Sequence, residues 1–339
     1  MKLNPMMMVA MGVCLLSAST SCAQTADPAA NLRTKALLAY IQGLTSRTDK
    51  RVLSGQFLNF APNASMALPE AIHAASGKWP AYVGVDYMNF GSKGIDTAAA
   101  NRVARLYWHD GGLVQVNVHL PDPANPNGGG LRDPGVDLRT LLPGGAVREA
   151  WLREMDAVAA GLAELQGAGV VVLWRPFHEM NGKWFWWGGK PTADFVALWQ
   201  DMFRYFSAVK GLHNLIWIYS PNKGDNAGDF YPGSGFADMV GLDAYTDDVD
   251  PVHITGAPAL LATGKPFGFG EFGPHGASDP PGTYDYPRFA RGLSAQFPRA
   301  VFFMSWNEKW SPARNLGDRE FYNDPLIVTR DDLPRSLFN

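Results

Sequence analysis

The segment VVVLWRPFHEMNGKWFWWG, residues 170–188, decides how this chain is read. It opens as an apolar, β-branched run, the pattern of a strand buried on both faces. It then turns polar at Arg175, His178 and Glu179, and positions 184–187 crowd together three tryptophans and a phenylalanine. A buried strand ending in a carboxylic acid beside flat rings can grip a sugar and protonate its bridging oxygen. The bland alternative makes the rings core and leaves Glu179 facing solvent. So many large rings in one loop weigh against it.

Similar β-rich runs recur on either side, at residues 51–57, 81–87, 113–120, 215–219, 239–245, 267–272 and 300–306. Helical patterns lie between them. Residues 147–167 repeat apolar positions at Trp151, Met155, Val158, Leu162 and Leu165 and end in Gly167-Ala168-Gly169. Residues 192–209 start at Thr192, a plausible cap, with Phe195, Leu198, Trp199, Met202 and Phe206 along one side. Residues 284–297 form a weaker helix, interrupted early by Pro287. Eight strands alternating with helices predict an α/β protein with a parallel sheet, and the count favours a single closed (β/α)8 TIM barrel. Residues 122–134, rich in Pro, Asn and Gly, read as a long loop after the third strand. No interior linker demands a second unit, so residues 23–339 are expected to form one catalytic domain.

Residues 1–22 read as a secretory leader, with Lys2, an apolar core over 6–18, then Ser19, Thr20 and Ser21. The core is too short for a permanent membrane span, and no later segment approaches that length. Cys14 and Cys22 are the two cysteines, so no disulfide is expected in the mature body, whose size suffices without staples. The run LLSASTSC, residues 15–22, resembles a bacterial lipoprotein signal and makes Cys22 a candidate lipid anchor. Ser19 stands where that signal normally has a leucine-like residue, so cleavage nearer Ala23 stays open. The expected location is secreted: periplasmic, extracellular or outer-membrane lipoprotein. The expected state is a monomer.

A net charge of −3 without any Lys/Arg run argues against nucleic acid and anionic membranes as partners. Eleven Trp, eleven Tyr and nineteen Phe point instead to a neutral ligand gripped by rings. The seven histidines include no two at ligand spacing on one element, so no metal is expected, and no cofactor either. Gly128-Gly129-Gly130 lacks the Lys-Ser/Thr of a phosphate loop.

In a barrel the working residues collect where strands end. His119, the 175–179 segment, Asp243, Tyr245, Glu271 and Trp306 all fall there. Glycoside cleavage needs two carboxyl groups flanking one bond. Glu179 and Glu271 would face each other across the mouth, but Glu308, Asp243 and Asp86 compete for the second role. Arg175 would keep a neighbouring carboxylate ionised, whereas Glu179, beside tryptophans, should be desolvated toward the pKa of a general acid. His119 and His178 would hydrogen-bond sugar hydroxyls or a catalytic carboxylate.

Residues 174–188 resemble the acid/base signature of glycoside hydrolase family 26, whose best-known members are β-mannanases. FGEFG at 269–273 is similar to that family's nucleophile strand, and VLSGQ at 52–56, VNVH at 116–119 and GLDAY at 241–245 to its first, third and sixth strands. The resemblance implies a retaining (β/α)8 enzyme with Glu179 as acid/base and Glu271 as nucleophile. It also implies that His119, Arg175, His178, Trp184, Tyr245 and Trp306 line the reactive-sugar subsite, with Trp184 and Trp306 stacking on sugar faces and Tyr245 bonding the nucleophile. The implied substrate is β-1,4-mannan. Alternatives are β-1,3-xylan or mixed-linkage β-glucan, exo-acting release of mannobiose, and a sugar-binding protein without catalysis.

Overall fold

The computed structural model describes residues 24–275 and 280–339; the leader at 1–22, with Cys14 and Cys22, lies outside them. The apolar runs become eight parallel strands: β1 (Val52–Ala61), β2 (Tyr82–Asn89), β3 (Leu113–Asn117), β4 (Val172–Arg175), β5 (Leu215–Tyr219), β6 (Met239–Tyr245), β7 (Phe267–Gly273) and β8 (Ala300–Ser305). Each pairs with the next, and β8 returns to β1, where Leu53 to Gln56 sit opposite Phe302 to Ser305. The predicted (β/α)8 barrel is therefore the fold. An antiparallel piece, Gly94–Ile95, adds to the end of β2, and Ile327–Val328 runs parallel beside the start of β1.

The strands are buried on both faces because helices cover the outside. These are α2 (Ala67–Ser76), α3 (Ala98–His109), α4 (Arg148–Gly167), α5 (Thr192–Arg204), α6 (Ala257–Leu261), α7 (Tyr286–Gln296) and α8 (Asp318–Tyr322). The stripe foreseen on α4 is the buried one: Trp151, Met155, Val158, Leu162 and Leu165 all face the barrel. The 192–209 helix differs in detail. Pro191, not Thr192, holds the cap position, and after Arg204 the chain widens into one π-type turn over Tyr205–Val209. Pro287 does not interrupt α7; it lies in the first turn, where its missing N–H costs nothing. Residues 220–238, between β5 and β6, contain no α-helix.

A helix before the barrel, α1 (Leu32–Leu44), closes the end from which the strands start. Asn31 caps it by accepting from Thr34 N–H at 2.8 Å, and its own N–H donates to the His213 carbonyl just before β5 at 2.9 Å. Arg33 donates to the Gly169 carbonyl ahead of β4 at 2.7 Å. Leu37, Leu38, Ile41 and Leu44 are fully buried against this end. That leaves the opposite end, where the strands finish, as the open mouth.

Burying α1 removes a full leucine side chain from water at each of three positions, so one truncation there leaves a cavity. Leu38→Ala should lower the free energy of unfolding by about 3 kcal/mol, read from denaturant melts. A loss below about 1 kcal/mol would mean that α1 is only loosely docked.

Candidate active site at the barrel mouth

β4 ends on Arg175, which is completely buried. A guanidinium cannot shed its charge, so burial requires partners on its fork. Arg175 donates from Nη1 to Glu271 Oε1 at 2.9 Å and from Nη2 to Asp243 Oδ2. Burial alone would lower its pKa, but the charges of Asp243 and Glu271 outweigh that and raise it. Asp243 takes a second bond at Oδ1 from Ser220 Oγ at 2.7 Å. Tyr245, two residues further along β6, donates its hydroxyl to Glu271 Oε2 at 2.6 Å. Burial, then the Glu271 charge, pushes the Tyr245 pKa well above its ordinary value, so it stays a donor. Both Glu271 oxygens are thus oriented.

The backbone at β7 leaves room for this cluster. A Cβ on Gly270 would stand 1.9 Å from Ser220 Oγ and 2.9 Å from Arg175 Nε. Only glycine fits there.

Glu179 arrives by a different route. Beyond Arg175 the chain turns through left-handed conformations at Phe177 (φ 47°) and Glu179 (φ 56°). Such values cost about 1–3 kcal/mol each for residues with side chains and persist only under outside restraint. The aromatic crowd supplies that restraint. Phe177 packs against Trp151, Trp186, Trp187 and Phe195. Trp187 donates to the His178 carbonyl at 2.8 Å and Trp186 to the Leu120 carbonyl at 2.9 Å. Glu179 N–H donates to the Ser220 carbonyl at 2.9 Å. Asn181 exchanges bonds of 2.8 Å with the Asn222 backbone, pinning the 220–226 loop to the turn.

The ring cluster at 184–187 is therefore mainly core, contrary to its reading as a platform. Phe185, Trp186 and Trp187 are buried, and only Trp184 reaches solvent, at 37% exposure. Its indole N–H donates to Glu179 Oε2 at 2.6 Å. The close approach of this ring to Gly182 leaves no space for a side chain there. Trp306, just past β8, is buried with one face stacked on Phe57, centroids 3.9 Å apart.

One carboxylate oxygen from each of Glu179, Asp243 and Glu271 lies within 4.8 Å of the others. This spacing could hold a cation, and Arg175 already supplies one to two of the three. Burial, and secondarily the Glu271 charge, push the Glu179 pKa up to about 7; the Trp184 bond and the Arg175 charge pull the other way. The rivals separate on geometry. Asp243, held by Arg175 and Ser220, is fully buried, whereas Glu271 keeps 3% exposure; Asp86 is also fully buried and bonded to His119 at 2.7 Å, and Glu308 is exposed. A carboxyl protonated near neutral pH and an oriented carboxylate across from it can perform acid and nucleophilic work on one bond. His178 approaches Glu271 Oε1 at 3.9 Å, not Glu179, and meets His119 Nε2 to Nε2 at 3.0 Å.

The strand-end rule found most of these residues but passed over Ser220, which follows Tyr219 at the end of β5 and obeys the same rule. Asn222 gave no signal in the sequence. Two grooves of about 930 and 770 Å3 lie elsewhere, lined by Arg33, Arg105 and Arg335 and by Thr25, Lys35 and Lys265; neither contains a residue of the mouth.

Two outcomes follow from the Glu179 environment. Its folded pKa of about 7 exceeds the ordinary glutamate value of 4.5, so stability is lost as pH rises between the two values. Glu179→Gln should therefore stabilise the fold by about 3 kcal/mol at pH 8 and hardly at pH 5, read from melts at both pH values; a gain independent of pH would contradict the desolvation. Trp184→Phe removes the donor that favours the charged form, so the alkaline limb of kcat/KM should move to higher pH. A limb that stays or moves down would rule out this bond in solution.

The model of glycosyl hydrolase family 26 matches residues 26–332. A mannan endo-1,4-beta-mannosidase of Bacillus subtilis is 35% identical over 329 residues, covering 91% of this chain and 88% of that protein. Mannan endo-1,4-beta-mannosidase A and B of Caldalkalibacillus mannanilyticus is 32% identical over 342 residues, and there 94% of this chain spans only 64% of the relative's length. Among solved structures, a Bacillus subtilis mannanase superposes with TM-score 0.84 at 35% identity, covering 91% of this chain and 95% of its own. A GH26A protein of Muricauda sp. gives 0.76 at 29%, covering 91% and 99%. With a family match over nearly all the described residues and the barrel geometry to go with it, the chain belongs to glycosyl hydrolase family 26.

Proposed function

We propose that the chain is a retaining mannan endo-1,4-β-mannosidase, with Glu179 as acid/base and Glu271 as nucleophile. One observation carries the mechanism: oxygens of the two glutamates approach within 4.8 Å. Inverting enzymes keep their carboxyls about 6.5–9.5 Å apart to admit water, whereas double displacement needs about 5 Å. Glu271, oriented by Arg175 and Tyr245, attacks the anomeric carbon while Glu179 gives its proton to the departing oxygen. Glu179, now ionised, then takes a proton from the water that frees the sugar. The relatives named above supply the substrate class. His119, His178, Trp184 and Trp306 would contact the sugar bound between the carboxylates.

A polymeric substrate fits an exported enzyme, and the leader reading of residues 1–22, with Cys22 as a candidate anchor, belongs to this proposal, as does the monomer. Among the described residues no helix is long and apolar enough to cross a membrane.

Azide separates the two roles. Glu271→Ala with azide should yield the α-glycosyl azide, and Glu179→Ala the β-azide, by NMR of the products. Glu179→Ala should also lose about 10²- to 10⁴-fold on mannan, and less on substrates with good leaving groups. Opposite anomers, or rescue of neither, would exchange or refute the roles. Product sizing on mannan, β-1,3-xylan and lichenan tests the substrate: a ladder of manno-oligosaccharides from mannan alone is expected. Mannobiose as sole product, faster cleavage of another polymer, or binding without cleavage would each overturn the reading.

A further inference from the structure

Asp86 is completely buried near the end of β2, and neither the acid nor the nucleophile role uses it. Three N–H groups converge on its carboxylate. Oδ1 accepts from the backbone of Met88 at 2.8 Å and of His119 at 3.1 Å, and Oδ2 faces His119 Nδ1 at 2.7 Å. Beyond His119 the chain of contacts continues through its Nε2 to His178 Nε2 at 3.0 Å, and from there to Glu271 Oε1 at 3.9 Å. Phe60, Phe185 and Trp306 pack around the His119 ring and leave the residue only 7% exposed.

We propose that Asp86 is a positioning residue of the active site, fixing the protons of both histidines so that His178 Nε2, 3.9 Å from Glu271 Oε1, carries its hydrogen, bonded to His119, and sets no lone pair against that carboxylate. The assignment of these protons follows from donor counting. A carboxylate only accepts, so His119 carries its hydrogen on Nδ1 and leaves a lone pair on Nε2. Two lone pairs cannot face each other at 3.0 Å, so His178 carries its hydrogen on Nε2 and donates it to His119. His178 Nδ1 is then a bare acceptor, and that atom is buried without a partner among the described residues.

The reverse arrangement, or a doubly protonated His119, would place an N–H at this position instead. A buried orphan N–H is the rarer and costlier defect. Burial, with the neighbouring Arg175 charge, also pushes the His178 pKa well below its usual value and keeps the ring neutral. Arg175 thus remains the full positive charge bonded to Glu271, with the polar N–H of His178 beside it.

This inference rests on Glu271 being a working carboxylate, but the protons can be read without any substrate. Long-range 15N–1H NMR of the wild-type protein should show His119 as the Nδ1–H tautomer and His178 as the Nε2–H tautomer. In Asp86→Asn the amide would donate to His119 Nδ1, driving hydrogen to His119 Nε2 and to His178 Nδ1. Both tautomers should invert while the circular dichroism stays unchanged, and kcat/KM on mannan should fall about 10- to 100-fold. Wild-type tautomers opposite to those assigned would overturn the proposal, even if the variant fails to fold. So would a folded variant with unaltered tautomers, or inverted tautomers with full activity. Failure of mannan as substrate would leave the tautomer pattern standing and so points to the function, not to Asp86.

Discussion

One buried cation organises the mouth of this barrel. Arg175 has no contact with solvent, so its charge has to be answered inside the protein, and the carboxylates of Asp243 and Glu271 answer it. Three strands, β4, β6 and β7, are thereby tied at their ends by a single side chain. Removing any one partner would strand a charge in a water-poor interior, which costs about 3–5 kcal/mol. The same bonds that stabilise the acid cluster also orient it. Glu271 gains a fixed orientation, while Glu179 sits on a left-handed turn that the surrounding residues restrain.

Ser220 joins the two halves. Its hydroxyl bonds Asp243 and its carbonyl accepts from Glu179 N–H, so one residue touches both the ion-pair network and the strained turn. The tryptophans beneath complete the turn. Their rings fill the space under Phe177 and their N–H groups bind loop carbonyls, leaving Trp184 alone to face the carboxyl it contacts. Aromatic residues here serve first to hold the geometry of the turn.

The barrel was legible because its signals are local. Each strand is a short apolar run, and all eight runs became strands, two with identical bounds, at 215–219 and 239–245. The α4 stripe was equally plain. The candidate site was legible where strand ends carry unusual polar residues, as at Arg175, Glu179 and Glu271, which the fold brings together. What was hidden depends on partners far along the chain. The tryptophans at 186 and 187 look like a sugar platform until Phe177 and Trp151 are placed against them. The pairing of His119 with His178, brought from different strands to 3.0 Å, is invisible to any search for spacing on one element. Pro287 misled for a simpler reason: a proline stops a helix only after its first turn.

In double displacement the carboxylate held by Arg175 and Tyr245 would bond covalently to the sugar. A 2-fluoro manno-oligosaccharyl fluoride slows breakdown of such an intermediate, and peptide mass mapping of the trapped protein locates the bond. One glycosyl group on the peptide carrying Glu271 is the predicted result; a label on Glu179, Asp243 or Glu308, or turnover with no adduct at all, would contradict it.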